Sequence, residues 1–269
     1  MAGGLENYVI RGGAQGKARL AVLARVMAPA TRALLDQIGP LPGQSVVDAG
    51  CGGGEISFEL ADRVGPTGRV VGLDLDEEKL ALARAEAADR GYSNIDFRCA
   101  GVLEPWPVDG ADLVWMRFLL THLSAPETAL AYARAALAPG GRIAAQDIDY
   151  RGRFCDPPST AHDRYVELYV AASRHRGGDP WIGARLPRLL EEAGFGDVDA
   201  TIAQPFGKSD DIKAIALLTL SGIAATLVET GLATEGEIDQ LTADLAAFAG
   251  RPDTRMAVPR IVQAWGRRP

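Results

Sequence analysis

Cysteine and histidine are scarce in this sequence, with three of each among 269 residues. Cys51, Cys99 and Cys155 lie far apart and form no Cys-x-x-Cys pair. That excludes a disulfide framework and a structural zinc cluster, and fits thiols kept reduced. Positive charge is not in excess either: 28 Lys plus Arg stand against 35 Asp plus Glu, a formal net charge of −7. A phosphate-binding surface needs clustered Lys and Arg, so nucleic acid is not expected as a partner. Long apolar runs are also missing. Residues 212–232 come nearest to the run of about 20 that a bilayer span requires. They contain Lys213, Ser221, Gly222 and Glu229, and read as a helical hairpin or a buried helix. Residues 1–10 show no basic stretch followed by an apolar core, so no secretory leader is expected. The reading is a cytoplasmic protein without a membrane partner. A hydrophobic share of 47% and a charged share of 23% are those of a chain able to build a packed core.

What is present is a rhythm. Residues 15–38 have apolar side chains at helical spacing, interrupted by Pro29, which predicts two helices or one kinked helix. Short apolar strands are then expected at 45–49, 70–73, 95–99, 111–116 and 142–147. Helices are expected between them at 56–63, 77–90 and 126–137. Strands that are apolar throughout, alternating with helices, predict a parallel sheet covered on both faces. Beyond residue 149 the rhythm changes to helices at 159–174 and up to 194. A sixth strand at 198–202 and a seventh at 260–265 frame a long helical interval. The fold class expected is α/β: a Rossmann-like, seven-stranded, mostly parallel sheet with helices on both faces. A single domain is expected, its core at about 39–149, 196–204 and 258–269. A helical cap is assigned to 1–38, 150–195 and 205–257.

The densest signal is the run Asp48-Ala49-Gly50-Cys51-Gly52-Gly53-Gly54-Glu55. An apolar strand ends in glycines and then opens a helix, a place where backbone must approach a ligand closely. A dinucleotide fingerprint would need glycine where Glu55 stands, which argues against a nicotinamide oxidoreductase. Twenty residues past Gly54, at the tip of the next strand, Asp74 is placed to accept the two ribose hydroxyls of a nucleoside. The pair resembles motifs one and two of the class I S-adenosylmethionine (SAM)-dependent methyltransferases. The segments 111–117 and Leu137-Ala138-Pro139-Gly140-Gly141-Arg142 resemble the family's fourth strand and its turn into strand five. Tyr8 with Gly12-Gly13, and the run from Gly177 to Gly183, resemble a bacterial branch acting on small molecules. The resemblance implies SAM as cofactor, held at Asp48, Gly50 and Gly52. It implies that Asp74 binds the ribose, Leu75 packs on the adenine and Arg117 lies near the methionine end. Tyr8 is expected to close over the cofactor. Relatives often carry an acid after strand three; Gly101 stands there instead, leaving backbone of Val102 to meet the adenine.

For the methyl acceptor, no Asn/Asp-Pro-Pro-aromatic motif follows strand four, and Asp156-Pro157-Pro158 is read as a proline loop. The partner expected is a small molecule methylated on O, N or C, with oxygen favoured; homo-oligomerisation is left open. His122 sits where sugar, quinone and polyketide methyltransferases carry a histidine, and is the candidate general base. Asp147, at the end of strand five, is the candidate to orient it or to hold substrate, with Asp149 beside it. The aspartate spacing carries no sign of a metal site. Tyr150, Arg151, Arg153, His162 and His175 are read collectively as a substrate wall. The alternative is a protein of the same fold that binds SAM without transferring methyl, as a pericyclase, an isomerase or a regulatory binder.

Overall fold

In the computed structural model, residues 13–269 are described. The chain opens with α1 (Gly13–Ile38) and then alternates β1 (Ser45–Ala49), α2 (Glu55–Val64), β2 (Arg69–Asp74), α3 (Glu77–Asp89), β3 (Ile95–Cys99), β4 (Ala111–Arg117), α4 (Pro126–Ala136) and β5 (Leu137–Asp149). Further elements are β6 (Cys155–Asp156), α5 (Thr160–His175), α6 (Leu186–Glu192), β7 (Gly196–Ala203), β8 (Phe206–Gly207), α7 (Asp210–Glu229), α8 (Glu235–Gly250), β9 (Arg255–Ala257) and β10 (Arg260–Arg267). The main sheet has seven strands in the order β3-β2-β1-β4-β5-β10-β7. β1 to β5 pair in parallel, while β10 runs antiparallel to both β5 and β7. The expected α/β fold is the one observed.

Because side chains alternate along a strand, each apolar strand supplies both layers. Val47, Leu73, Val114, Met116 and Ile143 face one way and pack with Leu130 of α4 and Leu189 and Leu190 of α6. Val46, Val70, Leu113, Trp115 and Ala144 face the other way, against Leu34, Leu35 and Ile38 of α1 and Ile56, Leu60 and Val64 of α2. α6 therefore covers the sheet, although 150–195 reads as cap from sequence. Its leucines make it an ordinary layer helix.

α1 stays continuous through Pro29. Proline lacks an N–H and leaves one carbonyl of the preceding turn without its helical donor. Beside it, the Ala30 carbonyl accepts from Gln263 Nε2 at 3.3 Å and Thr31 Oγ1 bonds Gln146 Oε1 at 3.2 Å, so the helix is tied to the sheet there. The interval 205–257 is not wholly helical: β8 and β9 join β6 in a small antiparallel sheet. Their two- and three-residue lengths are too short for any periodicity to show. α7 is one helix, long and apolar enough to cross a bilayer by composition. Ile215, Ala216, Leu220, Ile223 and Leu227 bury its inner face with Leu23 and Met27 of α1, Tyr165 and Tyr169 of α5, and Leu241 and Leu245 of α8.

Candidate active site

The strand ends of β1, β2, β4 and β5 converge where an open parallel sheet leaves its crevice. After Ala49 the backbone turns through Gly50, Gly52 and Gly54 with φ of 73°, 55° and 87°. A side chain at Gly52 would also stand 3.0 Å from Leu20 Cδ1, so glycine is favoured at these three positions. The Gly52 N–H donates to Asp74 Oδ2 and the Asp76 N–H to Asp74 Oδ1, each at 2.9 Å. A carboxylate has roughly four acceptor positions, so Asp74 keeps capacity for two hydroxyls while it pins the loop. Beneath the loop, Asp48 is buried and accepts from Ser57 Oγ of α2 at 2.6 Å. Burial raises its pKa to about 6, against the Ser57 bond and the charge of Arg117. Asp48 thus links the end of β1 to α2.

Leu75 is 37% exposed, and Gly101 lies beside it, an added Cβ falling 3.5 Å from Leu75 Cδ2. Val102 is buried in the core, and its carbonyl accepts from Trp106 Nε1 at 3.1 Å. This edge holds apolar surface and backbone, and the Glu104 side chain reaches it as well, its Cδ 3.8 Å from a Cβ placed at Gly101. At the end of β4, Arg117 Nη1 is buried with no hydrogen-bond partner among the described residues, as is Glu55 Oε1 at the start of α2. Burial lowers the Arg117 pKa, opposed by the charges of Asp48 and Glu55. Burial raises that of Glu55, opposed by its own backbone N–H and the charges of Arg117 and Lys17. Orphaned groups of opposite charge beside a glycine loop fit a zwitterionic amino-acid moiety.

His122 ends a short 3₁₀ turn, Leu120–His122, after β4. It is buried, and burial followed by the charges of Arg19 and Lys79 pushes its pKa down to about 3. Asp147 does not orient the imidazole directly. Its Oδ2 accepts from the Thr121 N–H at 3.0 Å and its Oδ1 from the Ile148 N–H at 2.8 Å. The residue is only 1% exposed. Burial lifts its pKa to about 7 against the donors of Ile148, Thr121 and Leu120. Asp147 thus holds the backbone of the turn on which His122 sits.

The same turn is gripped from its other side. Thr121 Oγ1 donates to the Asp179 carbonyl at 2.9 Å, and the Asp179 N–H returns a bond to the Thr121 carbonyl at 3.0 Å. A Cβ at Gly178 would lie 2.5 Å from the Thr121 carbonyl oxygen, and one at Gly183 2.6 Å from that of Asp147. The glycines of the 177–183 run thus permit backbone-to-backbone docking beneath the site. Tyr150, His162 and Tyr165 are buried among themselves, with Arg153 donating to His162 Nε2 and Tyr165 Oη. Asp149 is tied up by Arg151 and Arg260. These groups tie the end of β5 and the turn after it to α5 and β10. Among the described residues no cluster of His, Cys, Asp and Glu is arranged to hold a metal. Tyr8 lies outside the described residues.

Sequence reasoning missed the side chains that α1, α3 and α7 bring over the loop. Lys17 bonds Glu86 of α3 at 2.8 Å, Leu20 abuts Gly52, and Arg19 Nε donates to Thr219 Oγ1 of α7 at 3.3 Å. No motif marks them; only the packing of distant helices does.

A methyltransferase-domain family matches residues 41–194, from the turn before β1 to the end of α6. The chain belongs to the class I SAM-dependent methyltransferases. Among curated methyltransferases it is 39% identical over 117 residues to nocamycin O-methyltransferase of Saccharothrix syringae, covering 43% of this chain and 41% of that one. It is 33% identical over 159 residues to demethylmenaquinone methyltransferase of Lactococcus lactis, covering 59% of each. The matches span about half the length of these relatives. Among solved structures, geranyl diphosphate C-methyltransferase from Streptomyces coelicolor superposes with a TM-score of 0.56 at 18% identity, covering 94% of this chain and 83% of that one. The 4+2 cyclase SpnF gives 0.55 at 18% identity, covering 90% and 81%. These likenesses establish the methyltransferase fold, which a cyclase shares.

Proposed function

We propose that the protein transfers a methyl group from SAM to an oxygen atom of a small, partly apolar metabolite. One observation carries the reading: a glycine loop at the end of β1 is pinned by the Asp74 carboxylate at the end of β2, with acceptor capacity left over. In this reading Gly50 and Gly52 offer backbone to the methionine portion, and Asp74 takes the ribose hydroxyls. Leu75 and the backbone at Val102 flank the adenine. The orphaned Arg117 and Glu55 receive the charged methionine end, and Asp48 keeps the loop in shape through Ser57. SAM supplies an electrophilic methyl on a positively charged sulfur, so the protein's task is to align an acceptor lone pair and exclude water. The preference for oxygen draws support from the likeness to nocamycin O-methyltransferase.

His122 takes a different part from the one its position suggests. A general base works best with a pKa near the operating pH. At about 3, the imidazole is a neutral polar group lining the acceptor side. Asp147 positions its turn. Dispersed free cysteines and an α7 packed among other helices support a cytoplasmic setting. The test is calorimetry with SAM and S-adenosylhomocysteine (SAH), followed by incubation with methyl-labelled SAM and a host metabolite extract. Micromolar binding and a labelled small molecule are expected. Absence of SAH binding overturns the reading; labelled nitrogen or carbon products overturn the oxygen preference.

A further inference from the structure

α1 carries four cationic side chains, and three of them form ion pairs with acids. Lys17 pairs with Glu86, Arg25 with Asp211 and Arg32 with Glu59. Arg19 has no acidic partner among the described residues, in a chain whose formal net charge is −7. Among the described residues its hydrogen bond runs from Nε to Thr219 Oγ1, and none of them engages the outer guanidinium nitrogens. The placement is fixed from both sides. Leu20 and Lys17 lie on the glycine loop, while Leu23, one turn on from Arg19, is buried against α7. Arg19 therefore stands between the loop and α7, with its charge acting on His122. Lys79 of α3, buried and paired with Asp76 at 3.2 Å, adds a second positive charge facing the same imidazole.

Building on the methyltransferase reading above, we infer that Arg19 is the anchor for a negatively charged acceptor: a small organic acid, or an enol or phenol bound as its anion. Guanidinium is suited to carboxylate and enolate oxygens, which it meets with two parallel donors. The inference also removes a difficulty of the site. With His122 pushed down to about 3 and both Asp147 oxygens accepting backbone N–H groups, neither candidate base is fitted to take a proton from a neutral hydroxyl. An acceptor that arrives ionised needs none. Its oxygen lone pair forms the new O–CH3 bond as the C–S bond breaks and that pair returns to sulfur. The anion and the sulfonium cancel, giving a neutral ether or ester and SAH with no proton moved. The apolar body of such an acceptor would rest beside Phe118 and Leu217, which border the cap's core.

The test uses full-length protein saturated with SAH and titrated with benzoate, 1-naphthoate and their primary amides. At least one acid should bind tenfold or more tightly than its amide. Arg19→Met should abolish that preference, Arg19→Lys should keep part of it, and both should bind SAH within about threefold of the parent. Equal binding of acid and amide, no acid binding at millimolar concentration, or a preference that survives Arg19→Met overturns the inference. So does loss of SAH affinity in Arg19→Met with 5′-methylthioadenosine, which lacks the amino-acid end, unaffected. In that case Arg19 holds the donor's carboxylate. If the parent does not bind SAH at all, the underlying reading fails first and takes this one with it.

Discussion

In the proposed reading Asp74 does two jobs with one carboxylate, and its substitution should show both. It pins the Gly52 and Asp76 amides while retaining capacity for two hydroxyls. A hydrogen bond to a charged acceptor contributes about 1.5–3 kcal/mol, so Asp74→Ala should weaken SAH binding by about ten- to a hundredfold in calorimetry. Unchanged affinity would reject the assignment. His122→Gln should bind SAH normally and lose less than about tenfold in turnover, because an imidazole with a pKa of about 3 is not drawing the proton. A loss of 10²–10⁴-fold would restore it as the base. The two residues differ in legibility: the strand tip that carries Asp74 is visible in the sequence, while the basicity of His122 depends on burial and on charges from α1 and α3.

At the scale of elements, the run from Gly177 to Gly183 is a docking surface for the turn that ends in His122. A methyl group at Gly183 would meet the backbone oxygens of Asp147 and Ile148 at 2.6 and 2.8 Å, which side-chain motion cannot relieve. Gly183→Ala should therefore cost about 1–3 kcal/mol in urea unfolding, the usual range for overpacking a tight contact. It should also reduce turnover more than SAH affinity, since the strain falls on the acceptor side. Gly236→Ala, in α8 where an added Cβ meets nothing within 4 Å, serves as the control and should be neutral or slightly stabilising.

Across the whole molecule, buried ionisable groups of opposite sense offset one another. His122 and His162, each lowered to about 3, stay neutral in the fold but take up protons on unfolding below about pH 6.5. They add stability that is present at neutral pH and lost in acid. Asp48 and Asp147, raised to about 6 and 7, hold protons in the fold that the unfolded chain releases above about pH 4. They favour the fold at low pH and lose that contribution as pH rises. Between pH 4 and 6 the two pairs act against each other. Relative to the parent, Asp147→Asn should lose stability as pH falls from 6 to 4.5, and His122→Gln should gain it. Each slope should approach about 1.4 kcal/mol per pH unit in urea melts. Parallel curves for parent and variants would refute the assignment. The helical cluster of α1, α5, α7 and α8 adds a second contribution: Leu220 lies within it beside Leu23, Met27 and Tyr165, and Leu220→Ala should cost about 2–5 kcal/mol.

The sequence by itself determined the sheet and the donor loop, because both are written in local terms. Strand burial requires apolar runs, a parallel crossover requires a helix between them, and the loop's positive φ angles require glycine. The family resemblance rests on these same local features. Only the tertiary structure decided the acceptor side. Thr219 lies 200 residues from the Arg19 it holds, and Asp147 serves the Thr121 amide 26 residues away. Neither contact follows from spacing: the first arises where α1 packs on α7, the second where the end of β5 meets the turn after β4. The downward shift of the His122 pKa arises in the same way, from burial and then from the charges of Arg19 and Lys79.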